Sequence, residues 1–208
     1  SCDTEFIWSS DLDELVSKII ASQHKAIISI ATKGSIKKSI IEKIKATNQK
    51  LMNAKKGFIK YSVSITNKSM IDILEPKAST YTERIDLLRQ IQAEGIPSSI
   101  ILKPLLPFIS EDEYFDIVND TAGLSNYYLI GGLYVLEKGS FYEKFIQYKT
   151  SLVKKRADWL PYKPEWLFIE SLEKNDAVSN YIRTKGKRVF QSDSELLESM
   201  WEDIINHT

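Results

Sequence analysis

One cysteine, two histidines and no surplus of either charge set the first limits on this chain of 208 residues. Cys2 has no second thiol with which to close an internal disulfide, so a secreted, disulfide-stapled class is excluded. Alone it cannot hold a zinc ion or a cluster, and His24 and His207 are too few for a histidine-rich metal centre. Twenty-eight basic and 28 acidic residues cancel, so nucleic acid would have to be recruited by a local patch rather than a global field. No run reaches the roughly 18 apolar residues of a membrane span. The stretch from Ser1 to Asp11 lacks the basic region and apolar core of a signal peptide. Repeats and low-complexity tracts are also missing. The expectation left by these absences is a soluble, cytoplasmic protein with no membrane partner.

What is present is a hydrophobic fraction of 43%, enough for one domain or one domain with a helical appendage. Leu12, Leu15, Val16, Ile19 and Ile20 recur at helical spacing after Ser10, a good N-cap residue. Residues Lys25 to Thr32 are short, β-branched and apolar on both faces, which reads as a buried parallel strand. A second helix carries Ile36, Ile40, Ile41 and Ile44, and Gly57 opens a strand from Phe58 to Thr66. A short helix, Ser69 to Leu74, stops at Pro76. Thr80 or Thr82 can cap a third long helix that ends near Gly95. Ser98 to Lys103 reads as a strand, Ser110 to Tyr114 opens an acidic helix start, and Tyr127 to Leu136 reads as a strand interrupted by Gly131 and Gly132.

The order is helix and strand in alternation from about Ser10 to Leu136, which predicts a parallel sheet with crossover helices. Beyond it, helical patterns around 140–156, 165–183 and 193–206 predict a mainly helical C-terminal extension. The expected class is therefore α/β, a partial TIM-type β/α barrel over residues 1–138 followed by a helical extension over 139–208. The strand at 58–66 favours a barrel over a doubly wound sheet. Its odd positions, Ile59, Tyr61, Val63 and Ile65, are apolar, while Lys60, Ser62, Ser64 and Thr66 put charge and hydroxyls on the other face. A doubly wound sheet buries both faces in apolar side chains, whereas a barrel with an open, wet interior tolerates a polar one. Lys103 falls at the C-terminal end of its strand, where β/α proteins hold ligands.

Five features in order carry a resemblance: Tyr61 to Thr66, Leu74-Glu75-Pro76, Arg84, Gly95-Ile96-Pro97, and Pro104 to Pro107. The run resembles the radical S-adenosylmethionine (radical SAM) proteins related to spore photoproduct lyase, over roughly residues 26–136. In that family a four-iron, four-sulfur cluster on a Cys-x-x-x-Cys-x-x-Cys loop reduces S-adenosylmethionine to a 5′-deoxyadenosyl radical, which abstracts hydrogen from a substrate. The resemblance implies both cofactors for the intact protein. This sequence departs from the family at the cluster loop, which is not in it. Cys2 to Phe6 look like the stretch after the second strand, so the first βα unit is expected to be missing, in a fragment or in a degenerate relative.

The resemblance places Ser64 against the methionine moiety of the cofactor, with Ser62 and Thr66 on the same face. Arg84 would pair with the cofactor carboxylate, or else lie in an ordinary helix-surface ion pair. Lys103 would meet a carboxylate or solvent, and Pro104 to Pro107 would border the adenosine. Glu75 reads as a loop stabiliser or the end of a short helix, Gly131 and Gly132 as a close approach to a ligand or a bend, Cys2 as a bystander thiol rather than a hydrogen donor, and Asp3 and Glu5 as substrate contacts. Lys154 to Arg156 and Arg183 to Arg188, near Tyr181 and Phe190, read as a nucleic-acid contact or a solvated face. Two functions follow. One is the C-terminal portion of a radical SAM enzyme acting on an unknown substrate, with a cleft lined by Ser62, Ser64, Thr66 and Lys103. The other is a non-catalytic β/α module that binds a nucleotide, nucleic acid or protein partner.

Overall fold

The structure, a computed structural model, describes residues 11–138, 142–143, 146–148, 152–157, 162 and 165–205. Ser10, Cys2, Asp3 and Glu5 lie outside the described residues. The elements run α1 (Asp11–Ala21), β1 (Ala26–Thr32), α2 (Lys38–Asn53), β2 (Gly57–Ser64), α3 (Ile71–Leu74), α4 (Tyr81–Ala93), β3 (Ser98–Ile101), α5 (Glu111–Thr121), β4 (Tyr127–Leu129) and β5 (Leu133–Leu136). They continue with β6 (Val153–Arg156), β7 (Trp166–Glu170), α6 (Leu172–Thr184), β8 (Arg188–Phe190) and α7 (Asp193–Ile205). Among the described residues, no helix is long and apolar enough to cross a membrane.

Five strands form one all-parallel sheet in the order β1-β2-β3-β4-β8, the partial barrel expected from the alternation. The odd positions of β2 face the helices. Ile59, Tyr61, Val63 and Ile65 are buried in one core with Ile41, Ile44 and Leu51 of α2, Leu87, Leu88 and Ile91 of α4, and Ile117 and Val118 of α5. Local chemistry fixes the helix starts. Thr80 accepts from the Glu83 backbone while the Glu83 carboxylate accepts from the Thr80 backbone, a reciprocal capping box, and Ser110 caps α5. Gly95 ends the α4 turn at φ 67°, where a side chain would be strained.

The other face of the sheet is closed in part by α7. Register places Ile27, Phe58, Ile101, Leu129 and Phe190 on this face, and Leu196, Met200 and Trp201 of α7 pack against them in a second apolar cluster. The Phe58 and Trp201 ring centroids are 6.1 Å apart, and Lys25 lies over the Trp201 ring. Tyr127 donates to Asp203, which also pairs with Arg188, so the far end of α7 is tied to β4 and β8.

Three local readings of the sequence change. The segment 25–32 is not buried on both faces, because β1 stands at the sheet edge with Ser29 and Ala31 exposed. The segment 127–136 is two strands. After Gly131-Gly132 the chain leaves the parallel sheet, and β5 joins β7 and β6 in a separate antiparallel sheet. A Cβ at Gly132 would lie 2.3 Å from the Ile169 carbonyl oxygen, so the close approach is to β7. Beyond 138, α6 and α7 supply helix, but 153–156 and 166–170 are strands, and β8 returns to the parallel sheet. Short apolar runs such as Trp166 to Ile169 carry no periodicity that separates helix from strand.

The α7 contact is expected to be a principal support of the sheet. Phe58→Ala removes a fully buried ring and should cost about 3–5 kcal/mol. Urea unfolding followed by circular dichroism measures it, with an unchanged midpoint counting against this packing.

Candidate functional site

The C-terminal ends of β1, β2 and β3 meet at one rim, and a buried cation organises it. The Arg84 guanidinium, 0% exposed, reaches from α4 beneath the end of β2. It donates to the Ser64 carbonyl at 2.8 Å, the Ser79 carbonyl at 2.9 Å and Glu75 Oε2 at 2.6 Å. Glu75 also accepts from Lys33 Nζ at 2.6 Å, just past β1, and from the Thr66 hydroxyl at 3.0 Å. Burial raises the Glu75 carboxyl, but the hydrogen bonds and charges of Lys33 and Arg84 outweigh it and hold the carboxyl below its ordinary 4.5.

The loop after β3 is held from two further directions. The Tyr114 hydroxyl accepts from the Leu106 backbone at 2.7 Å and donates to the Thr66 carbonyl at 3.2 Å. The buried Lys174 ammonium of α6 donates to the carbonyls of Leu106, Pro107 and Ile109. Neither residue stood out in the sequence, because each acts on a segment it meets only in the folded chain, 65–68 residues away for Lys174.

The sequence-derived candidates divide into two groups. Ser62, Ser64 and Lys103 belong to the inner face and its rim. The Ser62 and Ser99 hydroxyls share a hydrogen bond of 2.8 Å between β2 and β3. The Ser64 hydroxyl, on a residue 7% exposed, has no hydrogen-bond partner among the described residues. Lys103 is half-buried, with its ammonium 5.7 Å from the Tyr134 ring centroid and its stem against Gly131. Thr66 and Arg84 fall in the brace around Glu75, where both side chains already have protein partners. Arg84 is therefore neither a surface ion pair nor a group poised toward the inner face. Glu75 stabilises the loop as its position suggested.

The basic clusters are engaged within the chain. Lys155 pairs with Glu170, Arg156 with Glu137 and Arg188 with Asp203, while Lys154 and Lys185 lie over the Tyr142 and Tyr181 rings. Among the described residues no group of three or more His, Cys, Asp or Glu side chains could hold a metal ion.

A solved spore photoproduct lyase with bound AdoMet and dinucleoside spore photoproduct matches this architecture with a TM-score of 0.57 and 15% identity, over 87% of this chain and 55% of that one. A single-substitution variant of the lyase gives a TM-score of 0.57 and 14% identity, over 88% and 56% of the two chains. This chain has a radical SAM-like fold. The radical S-adenosylmethionine methyltransferase TsrM from Kitasatospora setae, solved with tryptophan substrate and a SAM analogue, matches with a TM-score of 0.50 and 12% identity, over 88% of this chain and 43% of that one. The chain thus spans about half the length of these radical SAM structures. No family model and no curated protein matches the sequence.

At this rim, Glu75→Gln leaves the Arg84 charge buried without its counter-charge and should cost about 3–5 kcal/mol at neutral pH. Because the folded carboxyl is depressed, its stabilisation is present above the unfolded value and lost as pH falls through the folded one. Urea midpoints taken from neutral to acid should therefore show the gap between wild type and variant shrinking. A gap that persists undiminished in acid would contradict the charged brace.

Proposed function

We propose that this chain is the cofactor-orienting portion of a radical SAM enzyme, binding S-adenosylmethionine at the C-terminal rim of the half-barrel. The observation that carries the reading is the Ser64 hydroxyl, almost enclosed at the end of β2 yet without a hydrogen-bond partner among the described residues. A hydroxyl there accepts a hydrogen bond from the α-amino group of the methionine moiety. Lys103 offers an ammonium to the carboxylate, its stem held by Gly131 and its head by the Tyr134 ring. Thr66 and Arg84 contribute as positioning residues, since Arg84 holds the Ser64 carbonyl and Thr66 ties the backbone just after it to Glu75. The Pro104–Pro107 loop, fixed by Tyr114 and Lys174, forms the neighbouring wall.

When bound, S-adenosylmethionine in this family supplies a 5′-deoxyadenosyl radical for hydrogen abstraction, given an electron from a cluster held by three cysteines. The residues here fit the first requirement and not the second. One cysteine among 208 residues cannot form that loop, so the role assigned to this chain stops at binding and orienting the cofactor. Among the described residues β1 has a strand on one side only, which leaves an edge where further barrel strands would pair. The substrate is proposed to enter the barrel interior. Near β6 and β8, Lys155, Arg156 and Arg188 are paired with carboxylates within the chain, which leaves less charge there to draw a nucleic-acid substrate.

Titration calorimetry of S-adenosylmethionine into the chain tests the proposal. Saturable binding is expected, weakened about 10-fold or more by Ser64→Ala, which removes the hydroxyl and its hydrogen bond to a charged group without adding bulk. Absence of binding to the wild type would sink this reading and put the non-catalytic interaction module in its place.

A further inference from the structure

Lys60 lies midway along β2 on the inner face, between Phe58 and Ser62, and is 1% exposed. Among the described residues its ammonium has no hydrogen-bond acceptor and no carboxylate within ion-pair distance. Asp193, at the start of α7, acts on it only at longer range. The two other buried cations are treated differently by the fold. Arg84 has Glu75 and two carbonyls, and Lys174 has three carbonyls. An ammonium buried without a counter-charge is strongly unfavourable, and an apolar side chain would pack there as Phe58 does two residues earlier. Burial accordingly pushes Lys60 below its ordinary value, against a smaller upward pull from Asp193.

The surroundings supply what an anion needs besides charge. Ser62 and Ser99 hydrogen-bond to each other, which uses one of their two hydroxyl protons and leaves the other to donate. Access exists on the β1 side. Ser29 is the register partner of Lys60 and shares its face, and both Ser29 and Ala31 are exposed. We propose that Lys60 and the Ser62–Ser99 pair form an anion site inside the half-barrel, which holds a carboxylate or phosphate group of a molecule entering beside β1. Lys60 is four residues before Ser64, about 13 Å at the rise of a parallel strand, and the Ser62–Ser99 pair lies between the two. The anion site does not rest on cofactor binding, and either reading can fail alone.

Side-chain NMR of isotope-labelled lysine reads the site in the wild-type chain without any substitution. Inorganic phosphate and, in a separate arm, acetate are titrated against the Lys60 ammonium resonance. A saturable shift with a raised pKa is expected in at least one arm, and the stronger arm identifies the group as phosphate or carboxylate. By calorimetry Lys60→Met should abolish binding of that anion while the variant unfolds at a higher temperature than wild type. Ser99→Ala should weaken binding about tenfold. A Lys60 resonance unmoved by both anions, or binding that survives in Lys60→Met, overturns the proposal. Competition by S-adenosylmethionine would also overturn it, because the cofactor's own carboxylate would then occupy Lys60.

Discussion

The buried Arg84 guanidinium is the interaction on which the geometry of the rim depends. It joins α4, the end of β2, the turn before α4 and the loop carrying Glu75, and through Glu75 it reaches Lys33 beyond β1. A guanidinium suits this role because its donors point in fixed directions within one plane, so each acceptor must take a defined place. A buried pair of this kind is weak evidence for net stability, since desolvation offsets much of its Coulombic gain. Its effect is on position. The backbone of Ser64 is held from below, and its hydroxyl has no hydrogen-bond partner among the described residues.

The inner face is divided between an apolar and a polar part. Phe58, Leu129, Leu196 and Met200 meet in one cluster closed by α7. Lys60, the Ser62–Ser99 pair and Ser64 share the face along β2 and β3. The protein thus covers part of the half-barrel with α7 and keeps polar groups along β2, toward the strand end where β/α proteins place their ligands. Lys60 stands next to Phe58 at that boundary.

Much of the rim was legible in the sequence as a set of residues, though not as a set of roles. The polar face of the strand at 58–66 pointed to Ser62 and Ser64, and Glu75 was readable as a loop stabiliser beside Pro76. Arg84 was misplaced because an Arg at helical spacing looks the same whether its side chain ends in water or beneath a strand. Lys60 was visible as one polar residue among four, and only its burial without a partner distinguishes it from the serines. Lys174 gave no signal, since the carbonyls it binds have no counterpart in side-chain chemistry.

By itself the sequence determined the alternation of helix and strand as far as β4, the apolar face of β2, a helix start at Thr80 or Thr82 and another at Ser110, and the lack of a cysteine loop. These depend on periodicity, on side-chain hydrogen bonds within a few residues, or on simple composition. Tertiary structure decided that β1 is an edge, that the chain after Gly132 builds a second sheet, that β8 returns to the first, and that α7 covers part of the inner face. Strand pairing and helix docking join residues far apart in sequence, and their energy comes from surfaces that exist only once the chain has folded. A short segment such as Trp166 to Ile169 therefore takes its conformation from the partners it meets.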